Sequence, residues 1–469
     1  MKKTKIVATL GPACDPDGVI ESMIREGVNV FRLNFSHGTS KDHARRVATV
    51  RQAAKKLGLP IAILQDISGP KIRIGEIENR VLELRGGDRL TLTTRRVLGS
   101  KRVIGVNYRG LTKDVKEGNS LFLADGLIEV EVEKTNHSDI QCRVLNSGRL
   151  TSHQGINFPG GTLRAGVITE KDKRDLKVGV KIGVDMVALS FVRDPRDIGR
   201  ARRILGDLGV KAMPLVAKIE KHEALSNLDA ILEAADGAMV ARGDLGVEIP
   251  LEQVPLAQRK IIQRSRQTGR CCIVATHMLA SMVNRPRPTR AEVADITTAV
   301  LDGADALMLS EETAVGHYPI ESVRMMAKII RAAEASINHR RLFEETAISG
   351  SVSDSISQAA CLIAEDVKAK AVLTPTAFGK TAIRISRFRP SPIILALSHN
   401  HQILRFLSLY WGVFPVAAAR AHSLGDLFKV CVDAARQRGF VKKGDLVVIT
   451  GGVPLNQSGS TNLIRVQKV

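Results

Sequence analysis

Short apolar runs rich in β-branched residues recur along the chain, most opening after a Gly or Pro turn and separated by stretches of helical periodicity. Eight occur in order: KIVATLG from Lys5, VNVFRLNF from Val28, PIAILQDI from Pro60, DMVALSF from Asp185, MPLVAKIE from Met213, GAMVARGD from Gly237, CCIVATHM from Cys271 and DALMLSEE from Asp305. Apolar strands alternating with helices predict a parallel sheet covered on both faces, and eight such units predict a closed (β/α)8 barrel. Every run turns polar at its C-terminal end, at Thr9, Arg32, Asn34, Asp66, Ser190, Lys218, Glu220, Asp244, Thr276 and Glu312. Taken singly, each is as well explained by a strand simply ending. Together they predict convergence on one pocket, because strand C-termini form the mouth of such a barrel.

The spacing breaks once, between the third and fourth runs, where more than a hundred residues intervene. From Lys71 to Arg164 the pattern changes to alternating strands and turns (VLELRGGDRLTLTTRRV, NSLFLADGLIEVEVEK, DIQCRVLNSG), which predicts a small inserted β-barrel. Gly/Pro-rich GPKIRIG and FPGGT flank it and suit hinges for a lid. Beyond the eighth run a helix near Ile320 to Asn338 leads through SGSVSDS into strands AKAVLTP, SPIILALS, VFPVA, DLVVITGG and NLIRVQ alternating with helices, a separate α/β domain. The expected division is a barrel over 1–70 and 165–340, an insert over 71–164 and a C-terminal domain over 350–469.

Composition narrows the function. No apolar run approaches the roughly 20 residues that span a bilayer, so no membrane association is expected. The opening MKKTKIVATLGPAC has a basic start, but its apolar stretch runs straight into a Gly-Pro turn and Asp15, which reads as a first strand and not a secretory leader. Six cysteines without metal-ligand spacing suit a reducing compartment, and the cytoplasm is the expected location. A formal charge of +21 raises nucleic-acid binding as an option. Acidic residues are interspersed throughout, however, and only 3% of residues are aromatic, leaving few platforms for base stacking. The basic balance equally suits an enzyme whose ligands are phosphates and carboxylates.

Ten motifs carry a resemblance: VFRLNFSHG at Val30, QDISGPKIR at Gln65, GINFPG at Gly155, TEKD at Thr169, SFVR at Ser190, AKIEKHEAL at Ala217, VARGDLGVEIP at Val240, ATHML at Ala275, RPRPTRAEVAD at Arg285 and MLSEETAVGHYP at Met308. In this order and spacing the sequence resembles pyruvate kinases over its whole length. The resemblance implies a TIM barrel that moves the phosphoryl group of phosphoenolpyruvate to ADP, giving pyruvate and ATP. It implies Mg2+ or Mn2+ on Glu220 and Asp244, which as isolated residues read equally well as strand-end acids or helix caps. Lys218 matches the catalytic lysine, and its period-2 spacing from Glu220 points both into the mouth. Arg32 and Arg73 match phosphate-facing positions. Thr276 matches the residue beside the enolate carbon, where it orients a water or relays a proton. Gly243 lies where a short helix is expected to open toward the substrate carboxylate, and His37, Arg73 and Lys171 match nucleotide positions.

In the C-terminal region, Thr374, Thr376, Lys380 and Thr381 form a candidate phosphate cradle with the late loop Gly451 to Thr461, matching where many family members bind a sugar-phosphate or nucleotide effector; helix capping explains the same residues. A homotetramer is likewise implied by the resemblance alone. Four departures stand out: Ile67, Ser68 and Lys71 where DTKGPEIR is common, His277 in place of the glutamine of ATQML, Glu311 for glycine, and Ala165-Gly166 for Leu-Pro. In potassium-dependent members, residues matching Asn34, Ser36, Asp66 and the Ile67 carbonyl hold K+, with glutamate at the Lys71 position. A lineage with lysine there dispenses with the ion, so K+ independence is expected. The competing readings are another metal-dependent phosphoenolpyruvate or pyruvate barrel, a catalytically retired phosphate sensor, and a nucleic-acid binder.

Overall fold

Strands buried on both faces are mostly apolar, and the eight runs are, apart from polar residues such as Lys5, Arg32, Gln65, Asp66 and Lys218. In the computed structural model, which describes residues 1–469 apart from 125, 162, 163, 165, 347–349 and 455–460, they form strands β1 (Lys5–Leu10), β2 (Val30–Asn34), β3 (Ala62–Asp66), β4 (Met186–Leu189), β5 (Leu215–Ile219), β6 (Gly237–Ala241), β7 (Cys271–Ala275) and β8 (Ala306–Leu309). All are parallel and close in the order β1-β8-β7-β6-β5-β4-β3-β2, the expected barrel. Alternation along each strand builds two cores. Ile6, Ala8, Phe31, Leu33, Ile63, Val187 and Val240 pack outward against the helices. Val7, Val30, Leu64, Met186, Val216, Met239 and Ile273 fill the barrel interior.

Two of the ten motifs contain capping-box helix starts. In TEKD, Thr169 accepts a hydrogen bond from Asp172 N–H while Asp172 reaches back, a capping box that begins the helix Glu170–Ile182. Thr289 and Glu292 do the same for Arg290–Leu301. The expected helix near Ile320 to Asn338 is two helices, Pro319–Glu334 and His339–Glu344, with Asn338 capping the second.

The insert is mainly β, with one short helix, Leu111–Asp114, a 3-10 turn at Glu78–Arg80, and its own core of Leu90, Leu92, Leu121, Val130, Ile140 and Val144. Its strands pair as a six-stranded sheet and a separate two-stranded pair, Val81–Leu84 with Gly148–Thr151. Three short strands, Val103–Gly105, Gly148–Thr151 and Ile156–Asn157, add to those predicted. At its start Gly69 has φ of +64°, and a Cβ there would meet Phe191 Cδ2 at 2.8 Å, so only glycine fits this crossing.

The C-terminal region holds β9 (Ala371–Pro375), β10 (Ile393–Ser398), β11 (Val413–Ala417), β12 (Leu446–Gly452) and β13 (Thr461–Lys468), in the order β11-β10-β9-β12-β13 with only β13 antiparallel. It docks where barrel strands begin. Arg405 Nε lies 2.6 Å from Asp185, Arg389 NH2 3.0 Å from Asp305, and Lys5 Nζ donates to the Val413 carbonyl at 2.5 Å. The C-terminal strand ends, where the polar residues gather, are therefore left to the insert. All six cysteines are buried and free, and among the described residues no helix is long and apolar enough to cross a membrane.

Candidate active site

Lys218, near the end of β5, is the hub of the mouth. Its ammonium lies 2.7 Å from Glu220 Oε1, 2.8 Å from Ser190 Oγ and 3.4 Å from Asp66 Oδ1. Burial alone would depress its pKa, but the carboxylates of Asp66, Glu220 and Asp244 outweigh that and raise it. Asp66 also receives Arg32 Nε at 2.7 Å, and Arg32 NH1 reaches Thr9 Oγ1 at 3.1 Å. Burial pushes the Asp66 carboxyl up, yet Lys218 and Arg32 overcome it and the net shift is down. Glu220 is fully buried and accepts Phe191 N–H at 2.7 Å. Its pKa is raised, first by desolvation and then by the charge of Asp244, against the pull of Lys218.

Asp244 sits in the first turn of the helix Arg242–Glu248, which opens directly after β6 as expected. Thr276 follows β7 with φ of +70°, in the left-handed region. Its hydroxyl accepts Gly243 N–H at 2.9 Å and donates to the Ala275 carbonyl at 2.6 Å. Arg242, unmarked in the sequence, completes this corner: its guanidinium bonds the carbonyls of Ala275 and Thr276 and the Asp295 carboxylate at 2.6 Å. It braces this helix against β7, and nothing in the RGD motif alone announces that partner.

The remaining predicted residues divide. Lys71 Nζ lies 3.6 Å from Asp244 Oδ1. Asn34 Oδ1 accepts Ser36 N–H at 3.1 Å, and the Ser36 hydroxyl bonds Ser68 Oγ at 3.1 Å. The Ile67 carbonyl accepts Ser190 Oγ–H at 2.7 Å. Lys171 reaches across to the Phe35 carbonyl at 2.7 Å and to Asp175 at 2.6 Å. His37 is exposed on the loop after β2, its carbonyl bonded to His43. Arg73 donates to the His153 carbonyl at 2.9 Å, inside the insert and away from Lys218's partners. In the C-terminal region Thr374 is wholly buried with its hydroxyl on the Leu395 carbonyl, so it faces into the sheet. Thr376 Oγ1 accepts Gly379 N–H, Lys380 opens the helix Lys380–Arg387, and Thr381 pairs with Thr461 at 2.8 Å. Positions 455–460 of the late loop lie outside the described residues.

Comparison with known proteins supplies the class of this mouth. Residues 1–323 match the family described as "Pyruvate kinase, barrel domain", and residues 354–467 match "Pyruvate kinase, alpha/beta domain". The chain belongs to the pyruvate kinase family. It is 42% identical to "Pyruvate kinase" of Clostridium acetobutylicum and 41% identical to that of Thermotoga maritima, each alignment covering all of both chains. "Pyruvate kinase 2" of a Synechocystis species is 44% identical over all of this chain and 79% of its own length. As a pyruvate kinase family member the protein is a phosphotransferase, and its substrates are phosphoenolpyruvate and ADP.

Proposed function

We propose that phosphoryl transfer takes place at the barrel mouth with Lys218, Arg32, Glu220, Asp244 and Thr276 as the working groups. The observation that supports this reading best is the Lys218 ammonium held among three carboxylates at the strand ends. Glu220 and Asp244 suit a divalent cation: both offer hard oxygen donors, and burial first, then the charge of Asp244, disfavours the Glu220 carboxylate in a way such a cation relieves. Two carboxylates leave the remaining positions of such a cation to water and substrate oxygens. Mg2+ or Mn2+, when bound, supplies positive charge to the phosphate and carboxylate oxygens.

Lys218 holds a fixed positive charge beside the migrating group. Its raised pKa keeps it protonated, so it acts as a charge and not as the proton donor. Arg32, anchored through Nε and NH1, leaves its other donors for phosphate oxygens. The Thr276 proton is engaged with Ala275 O, so this hydroxyl orients a water toward the enolate carbon by accepting from it. The first helical turn, with Gly243, takes the substrate carboxylate. His37, Lys171 and Arg73 take the nucleotide, and Arg73 does so when the insert (71–164) swings at Gly69-Pro70 over the barrel (1–70 and 165–340). With Glu220→Gln or Asp244→Asn, turnover should require a higher Mg2+ concentration; an unchanged Mg2+ dependence in both would remove the pair.

Lys71 takes the role of potassium, contributing the fixed charge near the phosphoryl group. The C-terminal region (350–469) binds a phosphorylated sugar or nucleotide through Thr376, Lys380 and Thr381, with Thr374 supporting the strand end from within the sheet. The active form is a cytoplasmic homotetramer, and a light-scattering mass of one chain would exclude that assembly.

A further inference from the structure

The β5–β6 ladder ends at the pair Ile219 and Val240. Beyond it no strand pairing fixes Glu220 relative to the helix Arg242–Glu248, which carries Asp244 and has no side-chain N-cap. One end of that helix is braced toward β7 by Arg242. The other end is tied back toward β5: Lys221, the residue after Glu220, places Nζ 2.5 Å from Oε1 of Glu248, the last residue of the helix. Both side chains are buried, 8% and 1% exposed. The second Glu248 oxygen lies 3.6 Å from His222 Nδ1, which is itself 3.1 Å from Glu223.

A buried ion pair is poorly accounted for by stability alone, because desolvation offsets most of the attraction. What this pair does geometrically is specific. It joins the neighbour of one carboxylate to the helix that carries the other, across the gap where backbone pairing has stopped. We propose that Lys221 and Glu248 are positioning residues that set the separation of the Glu220 and Asp244 carboxylates and thereby the affinity for the divalent cation. The proposal rests on Glu220 and Asp244 being the metal carboxylates. The pair is bonded within itself and acts through the tilt of one short helix.

The test measures Mn2+ binding to the full chain without substrates, by the electron paramagnetic resonance signal of free Mn2+, alongside thermal unfolding. Glu220→Gln is the reference variant. Lys221→Met and Glu248→Gln should each weaken Mn2+ binding about tenfold, the scale of losses when groups behind metal ligands are removed. Lys221→Arg should restore it to within about twofold, and the double variant Lys221→Met/Glu248→Gln should bind no worse than the weaker single variant, since one tie is broken only once. Glu248→Gln keeps shape and one acceptor, so it reports even if Lys221→Met does not fold. If Glu220→Gln weakens Mn2+ binding while folded Glu248→Gln binds like wild type, the positioning role is overturned and the metal site stands. If the two single losses multiply in the double variant, the residues act separately and the proposal also fails. If Glu220→Gln itself leaves Mn2+ binding unchanged, the metal assignment falls and takes this inference with it.

Discussion

Replacing Lys218 with methionine removes a charge that three carboxylates surround, and the structure lets both consequences be sized. A phosphoryl group seated about 4 Å from the ammonium, at an effective dielectric of about 20, feels about 4 kcal/mol of attraction, which corresponds to about a thousandfold in rate. Breaking a buried ion pair by deleting one partner typically destabilises by about 3–5 kcal/mol. The low end applies here, because Asp66 keeps Arg32 and Glu220 keeps the Phe191 N–H. Lys218→Met should therefore fold with a stability loss near 3 kcal/mol, still bind Mn2+, and show kcat reduced by about three orders of magnitude. Coupled detection of pyruvate gives kcat at saturating substrates, and urea unfolding gives the stability. A folded variant with kcat within tenfold of wild type would refute the role of Lys218 as the fixed charge.

Wild-type turnover should differ little between potassium and tetramethylammonium salts at equal ionic strength, whereas Lys71→Glu should become dependent on K+; strong K+ activation of the wild type contradicts this. If a phosphorylated effector lowers the half-saturating phosphoenolpyruvate concentration, Lys380→Ala should blunt that response, and an undiminished shift would place the effector elsewhere. Lys5 carries a pH signature. Burial pulls its ammonium down to about 7, against Glu334 and Asp305. Between pH 7 and 10 the unfolded chain then binds more protons at this position than the folded one, so stability from Lys5 rises with pH, by up to about 1.4 kcal/mol per unit. Urea unfolding at pH 7, 8 and 9 should show Lys5→Met gaining most over wild type at pH 7, with the gap closing as pH rises; a constant gap would refute the depressed pKa.

The barrel was legible because a strand covered on both faces is largely apolar, which makes each of the eight runs a local signal. Lys218 and Glu220 are named by the family resemblance, and their period-2 spacing adds that both face the same mouth, which the 2.7 Å contact between them matches. What was not legible depends on distant partners. The two-residue strand Ile156–Asn157 exists only because it pairs with Phe122 and Leu123. The motif around Thr374 offers its hydroxyl to a phosphate or a helix cap, but burial turns it onto the Leu395 carbonyl. Arg73 bonds His153 within the insert, and Lys71 faces Asp244, contacts set by how the insert leaves and rejoins the barrel. Arg242 and the Lys221–Glu248 tie escaped for the same reason, since each joins segments whose proximity is a product of barrel closure.

The central claim is most directly tested by following phosphoenolpyruvate and ADP with the purified chain, measuring pyruvate and ATP in the same samples with and without Mg2+. The account predicts equal amounts of pyruvate and ATP, formed only when ADP and a divalent cation are both present, and lost in Lys218→Met. Pyruvate released at the same rate without ADP, or no ATP from the complete mixture, would contradict it.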